Sequence, residues 1–223
     1  MKSFFFIFLA CALLNGYEME LICKRPRIYK IYSVLSDEEC EYLIDRSAPH
    51  LQLSRVIGDN ANEGDFSAGR SSTNIFLQGN LRDKKIIEIE KRITEITGFP
   101  YENGEPMQVV HYDVGQEYRY HYDTFEHQCK GGQAALTFGG QRLATFLIYL
   151  NDVEDGGETH FYYAKMGVKP KKGDAILFFP SFQNGQPDPL TMHAGLPIKK
   201  GEKWIITRWF RQHCYQNNRR SKP

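Results

Sequence analysis

His111-Tyr112-Asp113-Val114-Gly115-Gln116-Glu117-Tyr118-Arg119-Tyr120-His121-Tyr122-Asp123 is the stretch on which the reading of this 223-residue chain turns. It opens the half of the chain with strand character. Residues 107–114, 145–150, 159–163, 175–179 and 204–210 are rich in β-branched and aromatic side chains and bounded by Gly, Pro, Asn or Asp. The preceding half reads as helical. Ser36-Asp37-Glu38-Glu39 is a capping box followed by Cys40, Leu43 and Ile44 at helical spacing. A second helix is predicted from about residue 80 to 97, where Ile86, Ile89, Ile93 and Ile96 step by three and four and Gly98 supplies a stop. Helices followed by a run of strands predict an α+β fold with an antiparallel sandwich or barrel as its second half. Residues 54–72 and 124–141 read as long polar loops, and loops of that length are commonly functional.

Composition narrows the class. With 28 basic and 27 acidic residues the net charge is +1, so no field over the whole chain draws in nucleic acid or an anionic membrane. No apolar run reaches the roughly 18 residues of a spanning helix, so no stable membrane span is expected. Residues 4–14 are nonetheless continuously apolar behind Met1-Lys2-Ser3, with Ala10, Ala12 and Gly16 as small residues near the end. That is the pattern of a secretory signal peptide over residues 1–16, leaving 17–223 as one domain in the endoplasmic reticulum lumen or outside the cell. Cleavage there removes Lys2 and Cys11. The rest has no net formal charge and four cysteines, Cys23, Cys40, Cys129 and Cys214, a number compatible with two disulfides in three possible pairings.

His-x-Asp on a strand places an imidazole and a carboxylate on one face, because side chains alternate with period two. A further distant His completes the two-His-one-carboxylate set of non-haem Fe(II) oxygenases, which leaves coordination positions open. The chain carries the tripeptide twice, at 111–113 and 121–123, and strand parity does not choose between them. Downstream, His193 stands ten residues before Lys203. On the final strand Lys203, Ile205, Thr207 and Trp209 share one face, and Trp204, Ile206, Arg208 and Phe210 the other. A cation near a metal-binding His suits a dicarboxylate that chelates iron at one end and pairs with the cation at the other, with Arg208 the alternative cation.

Seven ordered motifs then resemble the prolyl 4-hydroxylases, a family of Fe(II)/2-oxoglutarate dioxygenases. They are Tyr112-x-x-Gly115-Gln116-x-Tyr118-x-x-His121-x-Asp123, Arg142-Leu143-Ala144-Thr145, Tyr149-Leu150, Gly156-Gly157-Glu158-Thr159, Lys171-Lys172-Gly173-Asp174-Ala175, Asn184-Gly185-x-Pro187-Asp188-Pro189 and Lys203-Trp204. The likeness spans about residues 26–211 and is greatest to short forms consisting of the catalytic domain alone. It implies a double-stranded β-helix (jelly roll) core with the N-terminal helices packed against it. It also implies His121, Asp123 and His193 as the Fe(II) ligands, with Tyr112, Thr159 and Lys203 binding 2-oxoglutarate. O2 is the implied second co-substrate, ascorbate the reductant, and a proline-rich polypeptide the substrate, held by Arg70, Ser72, Glu105, Tyr118, Arg142 and Trp209. A hydroxylase of lysyl or small-molecule targets and an inactive jelly-roll binding module are the competing readings. One departure is visible: His160 stands where relatives usually carry an apolar residue.

Overall fold

Burial, rather than propensity alone, explains which segments became elements. In this computed structural model residues 11–14, 16–58 and 64–215 are described. The capping box forms as read: α1 (Asp37–Ser47) starts where the Ser36 hydroxyl accepts from the Glu39 N–H and Glu39 accepts from the Ser36 N–H. The second helix starts later than the spacing predicts. Residues 79–81 form a single 3-10 turn, and α2 (Lys84–Thr97) begins only where the Asp83 side chain accepts from the Ile86 N–H; Gly98 ends it in the left-handed conformation.

Nine strands make the larger sheet. In spatial order they are β1 (Cys11–Leu14), β2 (Tyr17–Cys23), β3 (Ile28–Ile31), β12 (Ala175–Phe178), β8 (Arg142–Tyr149), β15 (Lys203–Arg211), β6 (Gln108–Tyr112), β5 (Thr73–Phe76) and β4 (Gln52–Leu53). A four-stranded sheet faces it: β11 (Met166–Val168), β10 (Thr159–Phe161), β13 (His193–Gly195) and β7 (Tyr118–His121). A short pair, β9 (Asp155–Gly156) with β14 (Ile198–Lys200), closes one end. This is the expected jelly roll with helices against one side. All the pairings are antiparallel.

The two faces of the large sheet bury different things. Ile86, Ile89, Ile93 and Ile96 of α2, with Cys40 and Leu43 of α1, pack on Phe146, Ile148, Trp204, Ile206 and Phe210. The opposite face, with Leu147, Tyr149 and Ile205, joins Phe161 of the small sheet in a second cluster. The alternation read for β15 therefore holds. Lys203, Ile205, Thr207 and Trp209 line the interior cavity, while Trp204, Ile206 and Phe210 meet the helices.

One expectation is corrected. The 124–141 segment is not all loop: it contains α3 (Lys130–Leu136). Its two glycines hide the helix from propensity reasoning, and Arg211 stabilises its end by donating to the carbonyls of Ala135 (2.8 Å) and Gly140 (2.7 Å). Strands β2, β3 and β5 were unassigned from sequence. No disulfide joins Cys23, Cys40, Cys129 and Cys214 in this structure. The signal-peptide reading lies mostly outside the described residues; of its span only Cys11–Leu14, a strand paired with β2, and Gly16 fall within them.

Candidate active site

The metal-type side chains converge between the sheets. β13 pairs with β7 so that His193 lies opposite His121. One donor atom from each of His121, Asp123 and His193 lies within 4.8 Å of the others, and among the described residues this is the cluster that can hold a metal ion. The first His-x-Asp is elsewhere: His111 Nε2 is 2.8 Å from Glu202 and packs against Trp204.

Strand geometry does not align the pair as simple alternation predicts. β7 ends at His121, and Asp123 lies past it, where its Oδ2 accepts from the Thr145 hydroxyl at 2.7 Å. Both histidines are oriented from behind. His121 Nδ1 is 2.8 Å from the Arg119 carbonyl and His193 Nδ1 is 2.9 Å from the Thr191 carbonyl. A carbonyl only accepts, so each Nδ1 donates to it, which leaves each Nε2 turned toward the cluster. Burial, reinforced by His193, lowers the His121 pKa and keeps that ring neutral. Burial pushes the Asp123 carboxyl up, but His193, His121, Arg142 and the Thr145 bond outweigh it, so the group stays ionised.

Lys203 sits 1 % exposed at the start of β15, in register with Tyr112 of β6. Its Nζ lies 5.5 Å from the Tyr112 ring centre and 5.8 Å from that of Tyr149, and no carboxylate among the described residues pairs with it. Burial brings its pKa down to about 7, partly opposed by Glu158. The Thr159 hydroxyl accepts from the Tyr149 hydroxyl at 3.0 Å on the same wall. Gly195 keeps this space open, since a Cβ there would stand 3.7 Å from the Tyr112 oxygen and 3.8 Å from Lys203 Nζ.

A cavity of about 1070 Å³ runs from this point past Arg70, Tyr118, Glu105, Arg142 and Trp209. Glu105 holds Arg142 through two bonds of 2.7 and 2.9 Å, and the Arg142 guanidinium lies 3.7 Å over the Trp209 ring. Trp209 Nε1–H is a buried donor with no acceptor among the described residues. Arg70 caps the Tyr118 ring at 4.7 Å, and Tyr118 stacks on His121 at 3.5 Å. Ser72 alone of the residues expected in the groove does not line it. It is fully buried, bonded to Arg70 (3.2 Å) and Ser54 (2.9 Å). Sequence reasoning missed Thr145, Tyr149, Gly195 and Arg211. Thr145, a polar residue on the inward parity of an apolar strand, and Tyr149, on the same parity and in the Tyr149-Leu150 motif, carried usable signals; Gly195 and Arg211 had none. Arg208, the alternative cation, is on the helix side, 3.8 Å from Glu90, and does not reach this cavity.

Comparison with known proteins agrees with this geometry. The sequence model of the 2OG-Fe(II) oxygenase superfamily matches residues 107–211, the segment holding the three metal-type ligands and Lys203. The chain is 40 % identical to the probable prolyl 4-hydroxylase 10 of Arabidopsis thaliana over 91 % of its own length and 74 % of the relative's. Prolyl 4-hydroxylase 1 of the same plant is 41 % identical over 89 % and 74 %. Among solved structures, the collagen prolyl hydroxylase of Paramecium bursaria Chlorella virus-1, in its 2-oxoglutarate complex, is 31 % identical with a TM-score of 0.65, covering 82 % of this chain and 95 % of that one. The protein is an Fe(II)/2-oxoglutarate-dependent dioxygenase. It belongs to the prolyl 4-hydroxylase family.

Proposed function

We propose that the protein hydroxylates C4 of prolyl residues in a proline-rich polypeptide of the secretory pathway. In this reading His121, Asp123 and His193 hold Fe(II), and Lys203 binds the far carboxylate of 2-oxoglutarate. One observation carries it: three ligands of the right kind, Asp123 and His193 buried and His121 partly so, stand on the same cavity as a buried ammonium that no carboxylate among the described residues neutralises. Two imidazoles and one carboxylate suit Fe(II) and leave coordination positions open. Lys203 is matched to an anionic end group, because a buried cation gains most from a partner it otherwise lacks. Tyr112 and Thr159 flank it, and Gly195 leaves the room. The residues present therefore fit both groups.

When bound, Fe(II), 2-oxoglutarate and O2 together supply the oxidising power that puts one oxygen atom on proline C4 and the other into succinate, with release of CO2. The chain's own residues do the rest. Thr145 fixes the Asp123 carboxylate, and the backbone carbonyls of Arg119 and Thr191 fix the two rings. Arg142, clamped by Glu105 and stacked on Trp209, forms one wall of the peptide groove; Arg70 and Tyr118 form the other. The Trp209 N–H offers a bond to a backbone carbonyl of the substrate. Ser72 acts behind Arg70 rather than on the peptide. A cavity of about 1070 Å³, just above the roughly 300–1,000 Å³ range of small-molecule sites, has room for a peptide segment beside the co-substrate. Among the described residues no helix is long and apolar enough to cross a membrane. We further infer that residues 1–16 are a signal peptide, that 17–223 are one catalytic domain in the endoplasmic reticulum lumen or outside the cell, and that ascorbate restores the reduced iron.

The test is a peptide panel of Pro-Pro-Gly repeats, polyproline, Ser-Pro repeats and lysine-containing controls, read by mass for one added oxygen and by succinate release. Proline peptides should gain oxygen in step with succinate. Oxygen gained by the lysine controls alone, or none gained by any peptide, would sink the reading.

A further inference from the structure

The outer face of the small sheet carries an aromatic surface that the reaction does not use. On this face His160 of β10 stands opposite Ala194 of β13, and Tyr120 of β7 reaches across to meet it. The Tyr120 hydroxyl and His160 Nδ1 are 2.8 Å apart. Tyr162 continues the surface, its ring centre 5.2 Å from that of Tyr120 at an angle of 79°, and Tyr163 follows 5.2 Å further on at 85°. Tyr120, Tyr162 and Tyr163 are 42 %, 52 % and 49 % exposed. Three large rings side by side in water are an unusual use of surface for a protein with a neutral, polar exterior, and such patches mark interaction sites.

We propose that Tyr120, Tyr162 and Tyr163, with His160 fixing Tyr120, form a docking ledge for proline residues of the polypeptide substrate that starts at the rim of the reaction groove and runs outward from it. This rests on the prolyl hydroxylase reading above and adds to it a second point of attachment for long substrates. Three observations select this occupant. First, the ledge is continuous with the groove: Tyr120 and Tyr122 both line the cavity that holds the metal ligands, and Tyr122 is the residue between His121 and Asp123. Second, successive rings stand nearly perpendicular, which creates notches walled by one ring face and one ring edge. Polyproline II segments bind to aromatic-lined grooves of this kind, because proline rings pack on ring faces and the helix is already extended before binding. Third, the three rings themselves carry no charge, which suits a substrate of uncharged proline repeats. His160, the departure from the family pattern, thereby acquires a role: it holds the outermost tyrosine of β7 in place.

The experiment compares a fluorescent 15-residue proline peptide with a five-residue one, on the full chain and on a Tyr162→Ser/Tyr163→Ser double variant. Both positions are half-exposed, so the fold is retained, and a thermal melt checks it. Binding is read by anisotropy and turnover by mass. The double variant should bind the long peptide roughly tenfold more weakly, from the loss of two aromatic contacts, and raise its KM by a similar factor with kcat unchanged. The short peptide should discriminate between the two proteins by less than twofold. His160→Val should show a smaller loss of the same kind. Equal losses for both peptides, no loss for either, or conversion of the unaltered protein from a dimer to a monomer by the double variant would each overturn the ledge. If the long peptide binds through the tyrosines but gains no oxygen, the hydroxylase reading fails and the ledge stands.

Discussion

Two copies of one tripeptide stand ten residues apart in this chain and have different fates. His111-Tyr112-Asp113 lies at the end of β6, where His111 pairs with Glu202 and Asp113 is largely exposed. His121-Tyr122-Asp123 lies where β7 gives way to a turn, and there His193 arrives from β13 as the third partner. The residue types are identical, so the difference lies in what surrounds them: a third ligand, burial of the carboxylate and a carbonyl behind each ring. The first copy still contributes, but through its middle residue, since Tyr112 stands opposite Lys203. Local sequence places candidate ligands; tertiary pairing decides which become a site.

The largest effect should separate the copies outright. His121→Ala or Asp123→Ala should cost more than about 100-fold in iron affinity and in succinate release, because losing a ligand exceeds the loss of a group behind one. His111→Ala should leave bound iron unchanged. Iron content measured on the purified variants decides, and the reverse pattern would break the comparison.

Lys203→Ala should come next, raising KM for 2-oxoglutarate by tens of fold while the iron content stays constant. The pH dependence follows from the same side chain. Its pKa is brought down to about 7 by burial, so above that pH the free protein loses the ammonium that an anion needs. KM for 2-oxoglutarate should therefore climb as pH rises through 7 to 9, whereas Lys203→Arg should flatten the climb because guanidinium stays charged. The stability sign is the opposite: the unfolded lysine holds its proton to higher pH, so this group's unfavourable contribution shrinks between about 7 and its ordinary value. A flat profile in the unaltered protein would remove Lys203 as the anchor.

Thr145→Val tests the second copy from behind. It removes the bond to Asp123 without changing shape, and iron affinity should fall by about 10- to 100-fold. The smallest effect belongs to the first copy. Glu202→Ala removes the partner of His111 and of the Trp204 N–H, but the carboxylate is half-exposed, so about 1 kcal/mol of stability is at stake. A Tm lower by about 2–4 °C with unchanged iron content is the expected result. Loss of iron in that variant would contradict a purely structural role for the first copy.

Much of this was legible in the sequence because it depends on neighbours along the chain. The Ser36 cap, the four isoleucines of α2, the stop at Gly98 and the two faces of β15 are periodic or local signals, and each appears where those signals place it. The start of α2 moved by a few residues, since Asp83 rather than Asn80 supplies the cap. Helix α3 was missed because its support comes from Arg211, some 75 residues away in sequence. The resemblance puts Ser72 in the groove, whereas in the structure its hydroxyl is bonded beneath Arg70; no local pattern distinguishes a serine in front of an arginine from one behind it.

By itself, then, the sequence determined the class of fold, the helices against one side of a sheet, and a short list of side chains able to bind iron and an anion. Alternation, capping and apolar spacing act over a few residues, where chain connectivity leaves little freedom. Strand alternation left open which His-x-Asp meets a third ligand-type side chain and which cation faces the cavity; the tertiary structure brings His193 to His121 and Asp123, turns Lys203 inward, and places His160 and three tyrosines on one outer surface. Those outcomes depend on strand register between segments tens of residues apart, and register is set by the burial of whole faces rather than by any one residue.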